Sequence, residues 1–257
     1  MHREQIQHGE PPEIQLSPAE QFIEHMESGY EAVDESNVHA ACQEWIQAWE
    51  SVNTLFHSKM RTRSAVSEAY PDLDVDLDNW CYDFLFELHN AGRDMRTFHE
   101  YRLKYIQEFL DQFPDEDDDI RLNFGRGRGE ALWELGKRVE AENAYTDLVQ
   151  SLPDEAWAYI GWADQYWLGH DTEKQFERAE AIMRRALDRP QLNDREDVFD
   201  RLIELYTEWG KPDKVKMARQ ERHKATRPER LAAFQANRGK SKGGKRTKRG
   251  RRKNKNR

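Results

Sequence analysis

The sequence predicts an all-α chain made of repeated helical hairpins, and three observations predict it. Tyr105 to Glu116 (YIQEFLDQFPDE) and Ala144 to Glu155 (AYTDLVQSLPDE) repeat one another thirty-nine residues apart, each as the end of an amphipathic helix followed by Pro-Asp-Glu. Short β-branched runs bounded by Asn-Gly or Asp-Gly turns, the signature of hairpin strands, are absent. The 257 residues are 11% aromatic and include eight Trp, which supplies apolar bulk despite 35% charge and a mean hydropathy of −1.05. That length suffices for one sizeable core or for roughly five hairpins of about 34 residues each.

Residues 1–16 are polar and carry Pro11 and Pro12, and read as a flexible leader. Ser17-Pro18-Ala19-Glu20 then offers an N-cap, a proline at the first helical position and a glutamate at the third, a strong helix start. Helices are expected over about 18–34 and 37–59. In the second, Ala41, Trp45, Ala48, Trp49 and Val52 fall on one face. After the Pro71-Asp72 break, helices over about 77–91 and 94–113 carry Trp80, Phe84, Leu85 and Leu88, then Phe98, Tyr101, Tyr105, Phe109 and Leu110. Gly92 stands between them, where a helix C-cap requires a positive φ.

A further unit is expected from Ile120 to Leu152 with its turn at Leu135-Gly136, and another from Asp154. In the latter, Trp157, Ile160, Trp162, Tyr166, Trp167 and Leu168 point all round the helix, which implies burial on several sides. Gly169 closes that helix, and Ala179, Met183, Ala186 and Leu187 continue on its partner. A last hairpin over about 194–209 and 212–226 carries Phe199, Leu202, Leu205, Tyr206 and Trp209, with Gly210 at the turn.

Ala141, Tyr145, Leu148 and Pro153 place small, aromatic, aliphatic and proline residues at the spacing of a tetratricopeptide (TPR) unit. The expected architecture is therefore a TPR-like helical-hairpin array, an α-solenoid, over 17–226. The segments SGYEAVDESNVHAACQEWIQAWESV (28–52), NWCYDFLFELHNAG (79–92) and WAYIGWADQYW (157–167) resemble a family of bacterial TPR-like proteins, many of which end in a SEC-C zinc motif. The resemblance covers roughly 18–220 and implies an interaction role. The zinc motif needs two pairs of soft ligands, and no Cys follows Cys81, so no metal site carries over.

The net charge of −9 hides a division. From Lys211 to Arg257 there are twenty Lys and Arg against three acids, Asp213, Glu221 and Glu229, whereas residues 1–210 hold 46 acids and twenty bases. From Arg238 onward there are twelve bases, no acid and no aliphatic or aromatic residue. Such a segment buries too little apolar surface to offset the entropy of ordering it, so 227–257 is expected to be a largely disordered basic tail. Its Lys240, Lys242, Lys245, Arg246, Lys248, Arg249, Arg251, Arg252, Lys253 and Lys255 suit sequence-independent, salt-sensitive contact with nucleic acid or ribosomes. The tail lacks the aromatics that base stacking would need.

Several constellations invite chemistry. Asp72, Asp74, Asp76 and Asp78 mimic a calcium loop, yet Leu77 stands where the turn requires glycine and Asp83 where a bidentate glutamate belongs. Gly125-Arg126-Gly127-Arg128-Gly129 mimics a phosphate loop without the preceding strand or a following Lys-Ser/Thr, and Gly129 reads instead as a helix-packing position. Cys81 and His89 share one helix face, with Glu87 and His99 nearby, as a nucleophile or metal cluster would need; a buried Cys and a hydrogen-bonded His are the plainer reading.

Cys42 and Cys81 give no disulfide framework and point to a reducing compartment. No apolar run approaches a membrane span, and no signal peptide is recognisable, so a soluble cytoplasmic protein is expected. The expected function is that of a non-enzymatic adaptor without a cofactor. It would bind a protein or peptide along an aromatic groove at Trp157, Trp162, Tyr166 and Trp167, with the tail on nucleic acid. The alternatives are a pure protein scaffold whose tail serves solubility or localisation and, last, an enzyme using Cys81 and His89.

Overall fold

The computed structural model describes residues 16–73, 77–168 and 173–225. The leader up to residue 15, Gly169 and the basic run from 226 onward lie outside the described residues. Helix α1 (Pro18–Asp34) starts as the sequence dictates: the Ser17 hydroxyl accepts from the Glu20 N–H, and the Ser17 N–H donates to the Glu20 carboxylate at 2.8 Å. Helix α2 (Val38–Asn53) is capped by Asn37, whose side chain accepts from the Ala40 N–H at 3.2 Å.

Helix α2 ends six residues before the expected 59. The N–H groups of Thr54, Leu55 and Phe56 bond three residues back rather than four, and the Thr54 hydroxyl takes the Ser51 carbonyl at 2.7 Å. This tightening satisfies the last carbonyls and stops the α-turn. An unexpected short helix, α3 (Arg63–Ala69), and a 3-10 turn at Pro71–Leu73 fill the connection. Then come α4 (Leu77–Gly92), α5 (Arg96–Gln112), α6 (Asp118–Glu134), α7 (Arg138–Ser151), α8 (Ala156–Asp164), α9 (Phe176–Leu187) and α10 (Arg195–Glu208). A last helix, α11, occupies 212–225. Among the described residues there is no strand, only an isolated bridge between Glu155 and Asn193. The chain divides into two compact units between Ala144 and Tyr145, inside α7.

In the first unit, α1 and α2 pair antiparallel: the Trp45 indole donates to the Met26 carbonyl at 3.0 Å, and His25 meets Glu44 at 2.8 Å. Helices α4 and α5 repeat that pairing, with the Tyr105 hydroxyl donating to the Cys81 carbonyl at 3.0 Å. Hairpins then stack with the second helix of one against the first of the next, Trp45 and Trp49 of α2 meeting Phe84 and Trp80 of α4, and further contacts join like helices. Tyr30 of α1 donates to Asp83 of α4 at 2.9 Å, and Trp49 of α2 meets Tyr105 of α5 edge to face at 4.8 Å. Tyr82 of α4 packs near Phe124 of α6. This alternation of first and second helices is what a repeat of hairpins requires, because each hairpin buries its apolar face only against a neighbour. The core it makes is strongly aromatic, with Trp49, Trp80, Phe84, Tyr105, Phe109 and Phe124 fully buried and Phe109 stacked on Phe124 at 3.8 Å. All five residues of the predicted α2 stripe are buried.

The α3 connection is fastened to the turn between α5 and α6. Arg63 is 5% exposed. Its guanidinium meets Glu116 at 3.1 Å and donates to the Asp78 carbonyl at 3.1 Å, while its backbone N–H also donates to Glu116. Beside it, Arg61 holds Asp115 through two donors, and Gln112 donates to the Met60 carbonyl at 2.8 Å. A buried guanidinium is tolerable only when its donors find partners, and here Nε and Nη1 do.

The second unit surrounds α8 with apolar neighbours, as its all-round pattern predicts: Ala156, Ala158, Tyr159, Ile160, Trp162 and Ala163 are buried. Tyr145 stacks parallel to Trp162 at 6.2 Å. Helix α10 joins α8 through the Trp157 indole, which donates to Asp197 at 2.9 Å. The turn to α11 uses Gly210 at φ +67°, as Gly136 at φ +71° serves the α6–α7 turn.

Candidate functional site

The α4–α6 pair of the first unit encloses a cleft of about 430 Å³ lined by Tyr82, Phe86, His89, Arg102, Arg126 and Glu130, among others. Arg102 reaches it from α5 and is 4% exposed. The three nitrogens of its guanidinium donate to the Leu85 carbonyl at 3.1 Å, His89 Nδ1 at 3.3 Å and Glu130 at 3.1 Å. Arg126 stands on the far side of the same carboxylate at 3.7 Å. The cleft thus has a fixed ionic floor, Arg-Glu-Arg, and an apolar lip at Phe86, which is 61% exposed.

The electrostatics follow from this packing. A guanidinium only donates, so His89 accepts at Nδ1 and carries its proton on Nε2. Burial, reinforced by the positive charge of Arg102, pulls the His89 imidazole down to about 4. His99 behind it is 3% exposed and is likewise pulled down to about 4, by burial first and Arg102 second. Its Nδ1 has no hydrogen-bond partner. Burial pushes the Glu130 carboxyl up, but Arg102, Arg126 and His89 outweigh it and leave it below the usual carboxylate range.

Two glycines make the arrangement possible. Gly92 is not the C-cap that the sequence suggests; it belongs to α4, and the His99 ring fills the place of its missing side chain, so an added Cβ would lie 2.4 Å from that ring. Gly127 lets α6 close on Arg102, whose Nη2 would be 3.1 Å from an added Cβ. Gly129, the packing position expected from sequence, is also buried, and the whole Gly125–Gly129 stretch is helix rather than loop.

The other candidates fall elsewhere. Cys81 is wholly buried, and burial pushes its thiol up to about 12; Cys42 is buried and pushed to about 12 for the same reason, with Glu87 adding to it. Neither is a ready thiolate at neutral pH. Glu87 accepts from Asn90 at 3.1 Å. Of the acidic run, residues 74–76 lie outside the described residues, Asp78 pairs with Arg63 at 3.3 Å, and Asp83 serves Tyr30. Among the described residues, no three His, Cys, Asp or Glu side chains gather as metal ligands, and no helix is long and apolar enough to cross a membrane.

Of the aromatic set in the second unit, Trp162, Tyr166 and Trp167 are buried, and Arg178 lies over the rings of Trp162 and Tyr166 at 5.9 and 5.8 Å. Trp157 is half-buried. These side chains therefore serve as core of their unit, with Trp157 presenting the accessible edge. The ten Lys and Arg of the tail lie outside the described residues. Of the residues lining this candidate cleft, Arg102, Glu130 and Phe86 were not singled out from the sequence, and Arg126 only within the phosphate-loop mimic. Gly127 in mid-helix was the usable signal, since an interior glycine costs about 1 kcal/mol and implies a packing reason.

No protein-family model matches the chain, and no curated protein matches it. A solved structure described as Functional Characterization of Pseudomonas Aeruginosa pilF is similar to it at 12% identity, covering 86% of this chain and 99% of that one with a TM-score of 0.35. At that TM-score the likeness adds nothing to the fold, which stands on the helix pairs themselves.

Proposed function

We propose that this chain is a non-enzymatic, cytoplasmic interaction scaffold. Its TPR-like hairpins over 17–226 hold a protein or peptide partner, and its basic residues 227–257 contact nucleic acid or ribosomes. The observation that carries the reading is the α4–α6 cleft, where an exposed Phe86 stands beside Arg126 and His89 on a floor already satisfied by Arg102 and Glu130. An apolar anchor beside fixed polar groups, held on rigid helices, is what recognition of a side chain and its neighbouring backbone requires. The buried Cys81, with its thiol pushed far up, favours binding over the nucleophilic alternative.

The test uses the full chain as bait in nuclease-treated extract. A partner held by the wild type should be lost with F86E/R126E and kept with C81A. Equal retention by F86E/R126E would remove the cleft from the reading. Loss of every partner on nuclease treatment would reduce the protein to a nucleic-acid binder.

A further inference from the structure

A second concavity, in the second unit, is built differently. The end of α10 and one side of α11 border an open pocket of about 810 Å³ lined by Gly210, Lys211, Val215, Lys216, Arg219 and Lys224, among others. Lys216, Arg219 and His223 fall at i, i+3 and i+7, one helix face spanning about 10 Å of axis. Lys211 and Lys224 extend the charge at either end, and no acid lines the pocket.

Of the acids near this face, Asp213 of α11 lies outside the pocket's lining, and four others are engaged. Glu221 of the same helix holds Arg184 at 2.6 Å, Glu180 holds Lys214 at 2.6 Å, and Glu196 and Asp200 hold Arg222. Among the described residues, Lys211, Lys216, Arg219 and Lys224 form no ion pair, and Lys211, Lys216, Arg219 and Lys224 are all exposed. An unneutralised row of cations repels itself and gains most from a polyanion that releases its own counterions on binding.

We propose that this pocket binds the phosphate backbone of nucleic acid and anchors it to the folded body. The proposal deepens the reading of 227–257 as a nucleic-acid contact and rests on it. Two observations favour a nucleic acid over an acidic protein. The sequence continues from α11 with fourteen further Lys and Arg and one acid, Glu229, between 226 and 257, a run that matches a polymer charged at every unit. Of the pocket's two aromatic side chains, Tyr206 is fully buried and His223 is exposed on the cationic face, so backbone contact with at most one stacked base is the mode available.

The experiment measures binding of a fluorescein-labelled 20-nucleotide poly(U) RNA to the full chain by anisotropy, from 50 to 300 mM KCl. It compares wild type, K211Q/K216Q/R219Q/K224Q, the charge-preserving K211R/K216R/R219K/K224R, and a full-length chain with its ten Lys and Arg between 240 and 255 changed to Gln. Four phosphate contacts at about 0.7 each make the slope of log affinity against log salt shallower by about 2 to 3 in the Gln pocket variant. The charge-preserving variant should keep the wild-type slope, and the tail variant should keep salt-dependent binding at reduced affinity.

An unchanged slope in the Gln pocket variant overturns the pocket, even when the tail variant loses affinity and the broader reading stands. Loss of slope in the charge-preserving variant also overturns it, because the effect would then be structural. Absence of RNA binding by wild type overturns both readings. Poly-glutamate that binds wild type but not the Gln pocket variant, while RNA binds both equally, assigns the pocket to an acidic protein instead.

Discussion

The two units use charge in opposite ways. In the first, Arg63, His99 and Arg102 are buried, and the two arginines have donors engaged by carbonyls and carboxylates inside the hairpin stack. In the second, the ion pairs sit at partly exposed edges and α11 keeps a row of cations unneutralised. Buried charge, once paired, fixes geometry, whereas exposed charge remains available to a ligand. The comparison teaches that the α4–α6 cleft is a preset shape and the α10–α11 pocket a preset field.

The sharpest way to break this comparison is to delete one cation from each. R102A takes the donor from His89 and leaves Glu130 with the more distant Arg126 alone, and should cost about 3 kcal/mol. K214A removes a partly exposed ammonium from Glu180, which keeps the Tyr206 hydroxyl at 2.6 Å, and should cost at most about 1 kcal/mol. Hydrogen exchange of the α4–α6 and α9–α11 amides reads each loss locally; equal losses would refute the contrast.

Glycines sharpen it at a smaller scale. G92A drives a methyl group into the buried His99 ring and should cost about 1–3 kcal/mol, relieved in part by the double variant with H99A. G210A meets nothing within 4 Å and suffers only its backbone conformation, about 1 kcal/mol. Thermal denaturation of the three variants orders them, and a larger loss for G210A would contradict the packing account.

Acid gives the smallest and most graded effect. His89 and His99 bind protons less readily folded, at about 4, than in an unfolded chain, near 6.5. The unfolded state therefore takes up more protons between those values, and stability should be full above about pH 7 and lost as pH falls through 6.5 toward 4. Glu130, depressed when folded, adds loss at the acid end of the same window. Urea midpoints followed against pH should show this slope in wild type and a flatter one in H89Q/H99Q; identical slopes would deny the histidines their role.

Much of the helical frame was readable because its signals are local. Ser17-Pro18-Ala19-Glu20, the α2 stripe, Gly136 and Gly210 each act within one or two turns of chain, and the structure places them as expected. Helix α3 escaped because seven residues are too few to display a period. Arg63 and Arg102 escaped because arginine is ordinarily exposed, and only partners 53 and 28 residues away make their burial tolerable. Gly92 misled because a glycine near a helix end serves equally for a left-handed cap or for a close neighbour, and the neighbour, His99, lies on the next helix. The cleft was hidden for the same reason: Phe86 and Arg126 meet only once α4 and α6 are stacked.

The Arg63 junction has a mechanical consequence. It rivets the connection after α2 to the bend between α5 and α6, two stretches that would otherwise be the compliant edge of a hairpin stack. Prising that edge apart means exposing a guanidinium and a carboxylate from opposite sides of the seam at once. The first unit is thus stiff along this margin and flexes, under load, only where no such fastener crosses.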